Sequence, residues 1–261
     1  MNSTLRPVDL PETATTEAAA ILSSVPGIVT AIRDEHHRIV RCNPAYSEIV
    51  GVSRDDLVGL RLTDLRPGPA AEERTKLLEQ VISSDIAQDF LQFWNGRAWL
   101  CRIIPLDHES FGIRGTLTVV MQAPIGTKLA DARSILVLDT ADFGELSVLT
   151  RAEKRTIYDL AMGRSNNEIA ERQNRSVRTI ECHVRAIHEK LKTSSRSAII
   201  REASERGIQL FDEDKWETMA GMKANQKRAQ PFLTVPLPKR KNGLSATDSS
   251  PSGSGTIEPK D

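Results

Sequence analysis

Three helix starts follow one another closely between Thr150 and Ser176, and they limit what this chain can fold into more than any other feature. Thr150 and Glu153 form a T-x-x-E box, in which the hydroxyl accepts from the third residue's N–H and the carboxylate returns to the cap's own N–H. Ile157, Leu160 and Ala161 supply an apolar stripe as far as Gly163, a residue suited to a helix stop. Ser165 and Glu168 repeat the box and open a helix from Asn166 to about Gln173, followed by a short turn at Asn174-Arg175. Ser176 with Thr179 then starts a longer helix. Its apolar residues Val177, Ile180, Val184, Ile187 and Leu191 recur at steps of three and four, which places all five on one face. The opposite face carries Arg178, Glu181, Cys182, Arg185 and Glu189. A fourth helix is expected from Ser195 through Ala198, Ile199, Ile200 and Ala203 to Gly207.

A short capped helix, a tight turn and a second helix with a polar outer face can set that second helix in the major groove of DNA. The groove is wide enough for a helix, and its base edges present distinguishable donors and acceptors. Asn166, Asn167, Ser176 and Thr179 fall near helix N-termini, where backbone N–H groups and the dipole favour phosphate. Arg178 and Arg185 can donate to guanine or phosphate, and Glu181 can accept from cytosine. Cys182 completes the expected contact set on that face, as an inert surface thiol. Charge agrees. The chain is formally neutral, yet Ser147 to Ile208 holds thirteen basic against eight acidic residues, a surplus of five. Ala20 to Ile125 has a deficit of two, as expected if one part alone meets phosphate.

The same stretch closely resembles the LuxR-type DNA-binding domain. Leu149, Thr150, Glu153, Ile157, Leu160, Ala161 and Gly163 match that family's first helix. Ser165, Asn166, Glu168, Ile169 and Ala170 match the second, and Ser176, Thr179, Ile180, His183, Ile187, Lys190 and Leu191 the recognition helix. Ser195-Arg196 matches the pair that opens the fourth. The resemblance implies a four-helix unit over 147–208, homodimers formed through the fourth helix, paired half-sites on double-stranded DNA, and RNA polymerase as a further candidate partner. Three positions depart from the pattern. Gln173 and Arg175 stand where the family has apolar core residues, so they must pair, snorkel or loosen the turn. Glu181 replaces a common Lys and reverses charge on the groove-facing surface. His183 is read as a packed, hydrogen-bonded core histidine rather than a ligand or base.

Upstream, the period changes. Gly27 to Cys42 reads as two strands around a polar turn at Asp34 to His37. Short helical runs end at Gly51 and near Gly59, and Glu72 to Ile82 fits a helix with Leu77, Leu78, Val81 and Ile82 on one face. Gln88 to Trp94, Ala98 to Pro105 and Arg114 to Gln122 read as strands, with Asn95-Gly96 as a hairpin turn. This order describes an α+β domain with an antiparallel sheet and short helices. It resembles a PAS sensor domain over 20–123: Asn43, Ala45, Gly51, Ser53, Asp56, Leu57 and Gly59 fall at the family's places. The resemblance implies sensing of a ligand or dimerisation. The flavin-photosensor cysteine signature is missing, and the Glu72 to Ile82 helix holds no His for haem, so no cofactor is assigned. Phe90, Trp94 and Trp99 are read as packing residues.

No nucleophile stands beside His36 and His37, and no receiver-domain acidic set opens the chain, so an enzyme and a phosphoacceptor are not expected. Cys42, Cys101 and Cys182 lack metal or disulfide spacing, which points to no metal and a reducing, cytoplasmic setting. No apolar run reaches membrane-spanning length. The segment to Ala18 and a tail over 223–261, with its Lys239-Arg240-Lys241 cluster, have the composition of disordered chain. A transcription regulator controlled by a signal or partner through the PAS-like half is therefore expected. A sigma-factor-like protein, or an interaction module whose helix-turn-helix has lost DNA binding, are the alternatives.

Overall fold

The computed structural model describes residues 24–123 and 135–221. The expectations for the first eighteen residues, for the 223–261 tail and for the start of the connecting segment lie outside these residues.

Strand β1 (Ile28–Asp34) turns into β2 (Ile39–Cys42) because the Asp34 carboxylate accepts from the N–H groups of His36 (2.9 Å) and Arg38 (2.8 Å). Asn43 then does three jobs with one buried side chain. Its Oδ1 accepts from the N–H of Tyr46, capping α1 (Pro44–Val50), and from that of Thr30 in β1, each at 3.1 Å. Its Nδ2 donates to the Ile28 carbonyl at 2.8 Å. The PAS-like asparagine is thus the rivet between the first helix and the first strand.

Helices α2 (Arg54–Leu57), α3 (Leu62–Leu65) and α4 (Pro69–Ser84) follow. The last extends the expected helix by three residues upstream and two downstream, and α3 is an addition to the sequence reading. Strands β3 (Gln88–Trp94) and β4 (Arg97–Leu106) form the expected hairpin, with Asn95 and Gly96 at φ 49 and 71°, the left-handed pair this tight turn requires. A four-residue helix, α5 (His108–Phe111), leads to β5 (Gly115–Gln122). Strand order in the sheet is β2-β1-β5-β4-β3, antiparallel throughout, with a short sixth strand added parallel to β3 at that edge. Strand β6 (Leu136–Val137) comes from the connecting segment, which the sequence does not mark as a strand.

In the C-terminal half, α6 (Arg151–Ala161), α7 (Asn166–Arg172), α8 (Val177–Leu191) and α9 (Arg196–Glu205) are the four expected helices. Both reciprocal capping boxes are closed as the sequence prescribes. A further helix, α10 (Glu213–Met219), follows and was not read from the sequence. Its Trp216 is fully buried.

The two halves share one core. Leu91, Phe93 and Ala98 of the β3–β4 hairpin belong to the same apolar cluster as Ile157, Ile180 and Ile187 of the helical half. Phe93 meets the Trp216 ring edge-on at 5.3 Å, an arrangement that adds attraction beyond area burial. The hairpin tip is hydrogen-bonded across the junction: Gly96 N–H donates to Asp142 O (3.0 Å) and Ala98 N–H to Arg206 O (2.8 Å). Arg206, only 6% exposed, returns a bond to Gly96 O and pairs with Glu145 and Glu202. Gly207 permits this close approach, since a Cβ there would lie 2.7 Å from that of Ala98.

Candidate functional site

Helix α8 is anchored by Ile180 and Ile187, both fully buried, with Val184 and Leu191 partly buried beside them. Val177 departs from the expected stripe. It opens the helix, precedes the first turn that reaches the core, and is 38% exposed. Arg178, Glu181, Cys182, Arg185 and Glu189 all lie on the exposed side. The face selected by periodicity is therefore the one presented to solvent.

Which arginines are already engaged divides this half cleanly. Arg164 and Gln173 both hold the buried Asp159 carboxylate, Gln173 through its Nε2 at 2.7 Å. Arg172 pairs with Glu213, Arg155 with Glu217, and Lys190 with Glu153 at 2.7 Å. Arg196 donates to Asn166 Oδ1 (2.6 Å) and to the Arg164 carbonyl, so the Ser195-Arg196 pair clamps the start of α9 onto the start of α7. By contrast, Arg175, Arg178 and Arg185 are exposed and make no ion pair among the described residues. The guanidinium groups of Arg178 and Arg185 share the outward face of α8, and Arg175 lies in the turn before it; free guanidinium groups suit phosphate and base edges.

Gln173 does not sit unpaired in the core; it satisfies Asp159. Arg175 is exposed, and its N–H closes the turn onto Ala170 O at 2.9 Å. A polar hub at Asp159 thus replaces apolar packing. His183 differs from its expected role: it is half-buried, with no side-chain hydrogen bond among the described residues, because it sits at the edge of the stripe rather than on it.

The candidate contact residues do not share one environment. Asn167, Ser176, Arg178, Glu181, Cys182 and Arg185 are exposed, Thr179 and Asn166 half-buried. The Asn166 carbonyl is occupied by Arg196, and the Ser176 hydroxyl caps Thr179 N–H at 3.1 Å. Glu153 illustrates the electrostatics of the scaffold. Burial would raise its carboxyl, but hydrogen bonds from Lys190 and Thr150 outweigh that and hold it below the ordinary value.

A second feature lies in the other half, where the helices cover the sheet. A partly open cavity is walled by Phe90, Trp94, Trp99 and Leu78 together with Arg33 and Arg74. The aromatic residues are buried as expected, and they also form this wall. The two arginines were missed, although the sequence carried a signal for each. Arg33 shares the period-two face of Val29 and Ala31, and Arg74 shares the helix face of Ala71, Leu78 and Val81. Cys101 is buried close by, and burial pushes its thiol up to about 12, which leaves it inert.

A sheet capped by short helices, joined to a capped helix-turn-helix with two unengaged arginines on its outward face, defines a DNA-binding regulator with an attached sensor-type fold. Residues 22–122 match the model of the PAS fold, and residues 147–203 match that of the bacterial regulatory proteins of the luxR family. Residues 22–122 are thus a PAS-fold domain, and residues 147–203 a LuxR-type DNA-binding domain that follows it. Among solved structures it is similar to the Vibrio cholerae VqmA dimer in the absence of target DNA. That match has 20% identity over 77% of this chain and 91% of the other, with TM-score 0.40. It is also similar to a Vibrio cholerae VqmA–ligand–DNA complex, with 21% identity over 79% and 93% and TM-score 0.41. A domain of an HTR-like protein from Haloarcula marismortui matches at 19% identity over 38% and 99%, with TM-score 0.34. No curated protein matches the chain. Among the described residues no helix is long and apolar enough to cross a membrane.

Proposed function

We propose that the chain is a non-enzymatic, cytoplasmic transcription regulator in which 20–123 senses a signal and 147–208 reads promoter DNA as a homodimer. The observation that carries this reading is the pair Arg178 and Arg185, exposed on the outward face of α8 and without ion-pair partners among the described residues. In the proposed contact set they read base edges or phosphate, and Glu181 and Cys182 lie between them. Asn166, Asn167, Ser176 and Thr179 position the helix starts against the backbone. Dimerisation is assigned to the exposed side of α9, where Ser197, Arg201 and Glu205 face solvent. RNA polymerase is the further partner of a promoter-bound dimer.

Control through the PAS-fold half is supported by the junction. The Glu73 carboxylate of α4 accepts from the N–H groups of Asp139 (2.9 Å) and Thr140 (3.0 Å). Lys215 of α10 holds the same segment from the other side, donating to Val137 O at 3.0 Å and to Asp139. A change beneath the cavity therefore has a physical route to the helical half.

An electrophoretic mobility shift with genomic fragments at low and moderate salt tests the reading. Binding that weakens as salt rises is expected, because neutralising phosphates releases counterions. Absence of any salt-sensitive complex would overturn the regulator assignment and favour an interaction module.

A further inference from the structure

We infer that the cavity between the sheet and α4 is a binding site for a small organic acid, its apolar or aromatic body against the tryptophans and its carboxylate at Arg33. This rests on the reading of the N-terminal half as a sensor and names the class of molecule it senses.

Arg33 is 4% exposed and Arg74 5% exposed, and both line the cavity. Among the described residues no carboxylate lies within ion-pair distance of either, and no acidic residue lines the cavity. A third arginine at the wall, Arg66, is already neutralised by Asp142 at 3.3 Å. Burying a charge without a counter-charge costs several kcal/mol per ion, on the order expected from desolvation. Such a charge is retained where something else supplies the anion.

The hydrogen bonding around Arg33 points the same way. Its Nη1 donates to Thr118 Oγ1 (3.1 Å) and its Nη2 to Tyr46 Oη (2.9 Å), while Nε is buried with no partner. Each hydroxyl accepts from the guanidinium, and its own proton has no acceptor among the described residues. The cluster is therefore rich in donors and poor in acceptors, the complement of a carboxylate. Arg74 is different in detail. Its donors reach neutral acceptors (Gln92 Oε1, the Ala70 carbonyl and Thr140), and it stacks over the Trp94 ring at 4.5 Å. Its N–H groups are satisfied, and the Glu73 and Asp142 carboxylates act on its charge only from beyond ion-pair distance, so it adds weaker positive potential to the same wall. A carboxylate fits this wall better than a phosphoryl group, whose charge of about −1.5 to −2 would lie against a mostly apolar surface.

The test uses the full chain with hexanoate, octanoate, benzoate and phenylacetate, each compared with its own carboxamide. Tryptophan fluorescence reports binding at Trp94 and Trp99, and melting temperature reports it independently. At least one acid should bind saturably and its amide roughly tenfold or more weakly, the worth of a charge-assisted hydrogen bond. Equal binding of acid and amide, or no binding by any acid, overturns the inference. Arg33→Met should abolish the preference for acid over amide while the ligand-free melting temperature holds or rises, because an uncompensated charge has been removed. A fall in melting temperature with the acid preference intact would assign Arg33 to structure and overturn the site. Should that variant fail to fold, the acid–amide comparison on the parent protein decides alone. DNA affinity measured with the binding acid separates the two readings: binding without a change in DNA affinity supports the site and counts against sensing only.

Discussion

Arginine is used in opposite ways in the two halves of this molecule. On α8, Arg178 and Arg185 stand in water, where a charge costs almost nothing to keep and would meet a polyanion such as DNA, in the proposed contact set, through a screened field. In the PAS-fold half, Arg33 and Arg74 are withdrawn from water, where the same charge is expensive and its field is hardly screened. The first arrangement suits a large partner recognised in register along a groove. The second suits a small partner that must match a fixed set of donors. Placement, rather than residue type, distinguishes the two surfaces.

The largest expected effect addresses whether the two halves can be compared as parts of one body. Trp216 is fully buried among Phe93, Phe143 and Tyr158, so Trp216→Ala should cost about 3–5 kcal/mol. Denaturant unfolding followed by two probes, helical circular dichroism and Trp94/Trp99 fluorescence, should show both halves weakened. A loss confined to the helical half would mean that the shared core does not couple them. Next in size, Arg185→Ala on the exposed face should weaken DNA binding by about 1–3 kcal/mol, read by fluorescence anisotropy on a fragment found by mobility shift. Unchanged affinity would remove Arg185 from the contact set.

A smaller effect tests the polar hub that supports the exposed face. Gln173→Leu restores the family's apolar residue but takes a donor from buried Asp159, and should cost about 1 kcal/mol in thermal unfolding. A stabilised variant would mean that Asp159 is satisfied by Arg164 and Arg172 alone. The smallest effect concerns pH. Glu145 is held below its ordinary value by its hydrogen bond to Arg206 at the junction. A depressed carboxyl stabilises the fold above its unfolded pKa, and that contribution is lost as pH falls through the lower folded value. Glu145→Gln should therefore flatten the acid limb of a stability profile slightly; an unaltered limb would discount the pair.

Much of the helical half was legible because its signals are local. Thr150, Ser165, Ser176 and Ser195 cap the helices the sequence assigns to them, since each cap needs only a hydroxyl and an N–H within one turn. The Asn95-Gly96 turn was legible for the same reason. Helix α10 and strand β6 were not, because neither is stabilised by its own sequence. Trp216 is held by rings from β3, α6 and the connecting segments, and β6 is two residues completed by pairing with β3. The fate of Gln173 was open for a related reason: its partner Asp159 is fourteen residues away and reaches it only through folding.

The sequence by itself determined the three capped helix starts, the α8 face that carries Arg178, Glu181, Cys182 and Arg185, and the alternation that builds the sheet. These follow from hydrogen bonds and periodicities that span a few residues. Only the tertiary structure decided that the β3–β4 hairpin and α10 close one core, and that Arg33 and Arg74 converge on one cavity with no carboxylate within ion-pair distance among the described residues. Those are outcomes of long-range burial, where the cost of a group depends on neighbours that lie far away in the chain.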